Sequence, residues 1–99
     1  MGVHIFVVKI TYDPAKREAT LSERGLDFLD AELVFAGDHI NVRDTRFAYG
    51  ESRFQAVGYL HGRMVMVVWT PRGGARHVIS MRKCNDREQK RYGQRLGQD

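Results

Sequence analysis

Residues 52–81 read SRFQAVGYLHGRMVMVVWTPRGGARHVISM, and this stretch decides the fold. Three runs rich in β-branched and aromatic residues, 52–60, 63–70 and 75–81, have the composition of strands. They are divided by His61-Gly62 and by Arg72-Gly73-Gly74, linkers short enough to make hairpins, so consecutive strands should pair antiparallel as a meander. The middle run, Met64-Val65-Met66-Val67-Val68-Trp69, is apolar at every position. A strand that is apolar on both sides belongs at the centre of a sheet covered on both faces. The run is far too short to cross a bilayer.

Working outward, residues 39–45 supply a fourth strand candidate and residues 3–10, Val-His-Ile-Phe-Val-Val-Lys-Ile, a first strand at the other end of the chain. Asp13-Pro14 opens a helix, since aspartate caps free N–H groups and proline fits the first helical position. Gly25 ends that helix. Asp27 caps a second, with Phe28, Ala31 and Phe35 at helical spacing as core contacts and Gly37 as the stop. Asn85 followed by Glu88 is a capping-box start for a final helix that carries Arg87, Lys90, Arg91 and Arg95 about a turn apart. The expected architecture is α+β, in the order β-α-α-β-β-β-β-α, with helices covering the sheet. No linker, repeat or low-complexity tract divides residues 1–99, so one domain is expected.

The 99 residues are 42% hydrophobic and 28% charged, a globular rather than disordered balance. Cys84 is the single cysteine, which excludes an intrachain disulfide. No apolar leader opens the chain, so the expected location is the cytoplasm. The net charge of +4 is unevenly spread. Residues 72–95 hold eight basic and two acidic side chains, whereas residues 1–71 hold eight basic and nine acidic ones. A basic final quarter on a near-neutral body points to a polyanionic partner, most often nucleic acid.

His4, His39, His61 and His77 are scattered without the paired spacing of a zinc site, and Cys84 has no cysteine partner. Neither a metal nor a cofactor is expected. The run Ala75-Arg-His-Val-Ile-Ser-Met-Arg-Lys83 is more informative. Strict alternation would put Arg76, Val78, Ser80 and Arg82 on one face and His77, Ile79, Met81 and Lys83 on the other. Arg76 and Arg82 would then hold a phosphate between them, a task suited to the planar guanidinium fork. Metal-free RNA cleavage needs a group to deprotonate the ribose 2′-OH, another to protonate the leaving oxygen, and cations for the charge that builds between. His77, His61 and Glu51 are the proton-transfer candidates. Each has a structural alternative: a surface pair of Glu51 with Arg53, an exposed turn for His61, a helix-facing position for His77.

With these elements placed, the chain closely resembles the BrnT toxin family. The resemblance runs from Tyr12-Asp13-Pro14-Ala15-Lys16, through Gly25-Leu26-Asp27-Phe28, Ala31 and Val34-Phe35, to Glu51-Ser52-Arg53-Phe54 and Gly58. It continues over Arg76-His77-Val78-Ile79-Ser80-Met81-Arg82-Lys83 to Arg87-Glu88 and Tyr92. The order and spacing of the blocks, rather than any one of them, carry it. The resemblance implies a RelE-like fold and a metal-independent ribonuclease that halts translation. It also implies a BrnA-like ribbon-helix-helix antitoxin, with two toxins held by an antitoxin dimer that represses its own promoter, so that DNA is met only through the antitoxin. Carried over by position, Lys16, Glu51, Arg53, Arg76, Arg82 and Lys83 are functional. The catalytic set expected is thus Arg76, Arg82, Lys83, Glu51 and His77, with Lys16, Arg24, Arg53, Arg87 and Arg91 on RNA. The chain departs from the family at Thr20 and Glu23-Arg24-Gly25, where an asparagine and a lysine–histidine–glycine are usual, and residues 1–11 run longer than is typical. Two rival readings are a non-catalytic RNA- or ribosome-binding module and a degenerate toxin that serves as its antitoxin's co-repressor.

Overall fold

Val65, Val67 and Trp69 enter one hydrophobic cluster, and Met64 and Met66 enter another. This is the two-residue period of a strand whose two faces are both packed. The computed structural model describes residues 8–97. Its elements are β1 (Ile10–Tyr12), α1 (Pro14–Arg24), a 3₁₀ turn (Phe28–Asp30), α2 (Ala31–Ala36), β2 (His39–Asp44), β3 (Arg53–Leu60), β4 (Arg63–Arg72), β5 (Ala75–Lys83) and α3 (Asp86–Gly93). The order of elements expected from the sequence is the order found. Strands β2 to β5 form the antiparallel meander, with β4 at the centre of the order β1-β5-β4-β3-β2.

The turn between β3 and β4 has positive φ at both central residues, 50° at His61 and 79° at Gly62, the backbone twist that two-residue hairpins require. β1 joins the sheet differently, lying parallel to β5 with Ile10, Thr11 and Tyr12 opposite Arg76, His77 and Val78. The first strand therefore begins later than the apolar run suggests. Val8 and Lys9 precede it, and positions 3–7 of the expected strand, with His4, lie outside the described residues.

The helix ends follow the sequence signals. Asp13 accepts the Ala15 N–H at 2.9 Å, and Gly25 closes α1 in the left-handed region. Asp27 caps the 3₁₀ turn that leads into α2, and its carboxylate also holds Arg17 of α1 at 2.8 Å. Phe28, Ala31, Val34 and Phe35 pack on the sheet face that carries Val65, Val67 and Trp69. Trp69 is stacked on Phe54, and its indole N–H reaches Asn41 Oδ1 at 3.0 Å, so its buried polar atom is satisfied. Gly58 lets α2 approach β3. A Cβ there would lie 3.0 Å from Val34 Cγ1 and 3.2 Å from His39 Cβ.

On the opposite face, Tyr92 of α3 closes over Val57, Met64, Met66 and Cys84. The Asn85–Glu88 capping box is present in both directions. The Glu88 carboxylate also takes two bonds from Arg82 of β5, at 2.8 and 2.7 Å. One side chain thus starts the helix and fastens it to the sheet.

Regular alternation fails in β5. Val78 pairs with Trp69 and Ser80 with Val68, leaving Ile79 as an extra residue in a bulge. An extra residue reverses the faces on one side of it. Val78 and Met81 accordingly share the α2 face. Arg76, two residues before Val78, lies on that same face over the rings of Phe35 and Trp69, with its guanidinium carbon 4.6 and 4.3 Å from their centroids. Arg82 lies on the α3 face. The expected pairing of Arg76 and Arg82 on one side with Ser80 between them is therefore corrected: His77, Ser80 and Arg82 share a face, and Arg76 is on the other.

Two stability tests follow from this packing. Gly58→Ala should lower the free energy of unfolding by about 1–3 kcal/mol, read from chemical denaturation. Salt bridges and hydrogen bonds from Arg82 and Arg46 hold Glu88 and Asp44 down to about 2 each. Their contribution is complete above the ordinary carboxylate range and is lost as pH falls toward about 2. Urea midpoints measured through that window should fall steeply in the native protein and less steeply in Glu88→Gln.

Candidate active site

At the end of the sheet away from α3, the chain brings together residues from four separate stretches. Thr11 on β1 and His77 on β5 face each other across the parallel pairing, and Thr11 Oγ1 lies 2.8 Å from His77 Nδ1. Thr70, opposite His77 on β4, is fully buried and donates its hydroxyl to the Ser52 carbonyl at 2.7 Å. That bond ties the start of β3 to β4 and sets the position of Glu51 and Arg53. Glu51 Oε2 then accepts from Arg72 at 3.2 Å, and Oε1 from Arg53 at 3.4 Å. Arg53 in turn lies over the Tyr49 ring at 3.8 Å.

The half-buried imidazole of His77 is held below the ordinary histidine value of 6.5, first by burial and then by the charge of Arg72. Lys16 pushes in the same direction, and Glu51 and Asp13 oppose it. His77 is therefore neutral at neutral pH, the form in which an imidazole can accept a proton. In the tautomer whose Nδ1–H donates to Thr11 Oγ1, Nε2 carries the free lone pair. Glu51 is held below its usual range, chiefly by its hydrogen bond from Arg72, and stays ionised. The arrangement sets an imidazole within electrostatic reach of a carboxylate and of Arg72 and Lys16, which suits proton abstraction next to a phosphate.

The candidates read from the sequence divide into three groups. His77, Glu51, Arg53 and Lys16 come together here. Arg82, Lys83, Arg87 and Arg91 lie toward α3. Arg82 is roughly 13 Å from His77, four ladder steps of about 3.3 Å once the bulged residue is set aside. Arg76 and Arg24 serve elsewhere. Burial lowers the pKa of Arg76, whose Nη1 is buried without a hydrogen-bond partner among the described residues. Arg24 donates to the Met81 carbonyl at 2.9 Å and ties the end of α1 to β5. His61 sits exposed in its turn, as the structural alternative had it. Arg72, Thr11 and Tyr49 were missed. Arg72 had been counted only as a turn charge, and no local signal marks Thr11, because its partner is 66 residues away.

Comparison with known proteins bears on what this arrangement is for. The family model described as ribonuclease toxin, BrnT, of type II toxin-antitoxin system matches residues 12–88. No curated protein matches the chain.

The electrostatic account is open to direct titration. His77 should titrate below 6.5 by NMR, and Arg72→Ala should raise that value, since it removes the largest charge acting on the ring. An unchanged titration in the variant would place the two groups out of contact.

Proposed function

The chain belongs to the BrnT ribonuclease toxins of type II toxin–antitoxin systems, and from that premise we propose that it is a metal-independent endoribonuclease that reacts at His77. The observation that carries this reading is His77, met by Thr11 Oγ1 at 2.8 Å and set among the charges of Arg72, Glu51 and Lys16. In the reaction, His77 Nε2 takes the proton of a ribose 2′-OH. The freed oxygen attacks the adjacent phosphorus, and the bond to the 5′-oxygen of the next nucleotide breaks as that oxygen takes a proton from solvent water. Arg53 and Arg72 can leave Glu51 for the phosphate oxygens, because their contacts to it are long and exposed. They stabilise the charge on the pentacoordinate phosphorus, the task a metal performs in other nucleases. Glu51 keeps both guanidiniums in place before substrate arrives.

The basic group of Lys83, Arg87 and Arg91 holds the RNA beyond the cleaved bond, while Arg82 stays on Glu88. Arg76 and Arg24 are outside the reacting group. Membership in a type II family implies an antitoxin partner. We assign that partner to the BrnA-like ribbon-helix-helix class, two toxins to an antitoxin dimer, and the action to arrest of translation in the cytoplasm on a RelE-like fold. Among the described residues no helix is long and apolar enough to cross a membrane.

The test is cleavage of naked RNA by the antitoxin-free protein in EDTA. The native chain should cut. His77→Ala should lose about 10²–10⁴-fold, the usual worth of a positioned acid–base group, and Arg72→Ala should also lose rate. Arg76→Ala should keep it. The rate of the native protein should rise with pH through the lowered His77 value and then level off, because the base must be unprotonated to act. A folded native protein that leaves RNA intact in EDTA, yet cuts it with added divalent ion, would overturn the metal-free assignment.

A further inference from the structure

The loop between β2 and β3 carries a feature that the cleavage chemistry does not use. Phe47 is 69% exposed, the most exposed large hydrophobic side chain among the described residues. It stands on a fastened loop. The Asp44 carboxylate is shut off from solvent and takes bonds from Arg46 Nε and Nη2 at 2.9 and 2.8 Å, and from the Tyr49 hydroxyl at 3.3 Å. These bonds pin the chain on both sides of Phe47. The Phe47 and Tyr49 rings meet edge to face, 5.7 Å apart at 73°. Arg53, already beside Glu51, covers Tyr49. The exposed ring therefore adjoins the reacting group through two direct contacts. Beside it lies an open depression of about 570 Å³, whose walls include Arg43, Arg46 and Arg53.

We propose that Phe47 is a stacking platform for one unpaired base of single-stranded RNA next to the cleaved phosphate, with Arg43 on the phosphate beside it. The inference rests on the ribonuclease reading and adds a base-contacting subsite to it. The mixture of groups favours RNA over a protein partner. Single-strand nucleic-acid sites join exposed aromatic rings to a basic groove, and here the ring and arginines adjoin the residues that would react with RNA. Stacking on a phenyl ring needs no hydrogen bonds, so this subsite would select by ring area and position rather than by base edges.

The experiment is binding of a 2′-fluoro single-stranded RNA of about eight nucleotides, within the usual range of single-strand sites. It cannot be cut, because the attacking hydroxyl is missing. Phe47→Ala should bind it about tenfold more weakly, within the usual worth of one stacked base, and Phe47→Trp should restore binding. The unfolding midpoint should stay unchanged, since Phe47 buries little. Equal affinity of Phe47→Ala and the native protein would overturn the subsite while leaving the ribonuclease reading intact. Loss of antitoxin binding with RNA binding unaltered would also overturn it and assign the ring to a protein contact. A native protein that neither binds this RNA nor cuts natural RNA would remove the ribonuclease reading itself.

Discussion

A single extra residue in β5 determines what the protein can present to a ligand. Ile79 has no partner on β4, and the chain on either side of it is out of phase. Without that bulge, the side chain at position 77 would point under α2, and Arg76 would share the face of Arg82. With it, the apolar Val78 and Met81 both reach the core, although three positions separate them, and His77 and Arg82 appear on one surface. The cost of a broken ladder is local. What it achieves is a strand that buries a continuous core while turning chosen polar groups to the other side.

The two ends of that surface use carboxylates in different ways. Near α3, Glu88 grips Arg82 through two short bonds and also caps the helix, so this pair is part of the architecture. At the other end, Glu51 holds two arginines through longer, more exposed contacts. A phosphate can compete for guanidiniums held this loosely, and much less easily for a guanidinium held at 2.7 Å in a bidentate pair that also organises a helix. Arg76 shows a third condition. It is cationic, packed on aromatic rings and distant from any carboxylate bond, and it extends the core cluster rather than the reactive surface.

Much of the fold was legible because its signals are local. Asp13, Pro14 and Gly25 mark both ends of α1, Asn85 and Glu88 the start of α3, and His61-Gly62 a hairpin that leaves its strands little choice of register. The site was legible only in part. Glu51, Arg53, Lys16 and His77 are candidates by residue type and resemblance. Their grouping depends on Thr70 reaching the Ser52 carbonyl and on β1 lying beside β5, and both are long-range facts. The face of Arg76 was misplaced because alternation carries straight through Val78-Ile79-Ser80, where all three residues suit a strand and none marks a bulge. Thr11 and Arg72 were overlooked for related reasons: their chemistry lies in what they touch, and a sequence read in order does not show it.

The parallel pairing of β1 with β5 also bears on when the sheet is complete. The meander from β2 to β5 joins neighbours in the chain, so its hairpins can close early and independently. Thr11 meets His77 only after a loop of 66 residues has closed, the slowest kind of contact to form. During synthesis β1 waits at the edge of the sheet until β5 has been made, and the sheet closes only with that pairing. The first strand made is the last to find its neighbour.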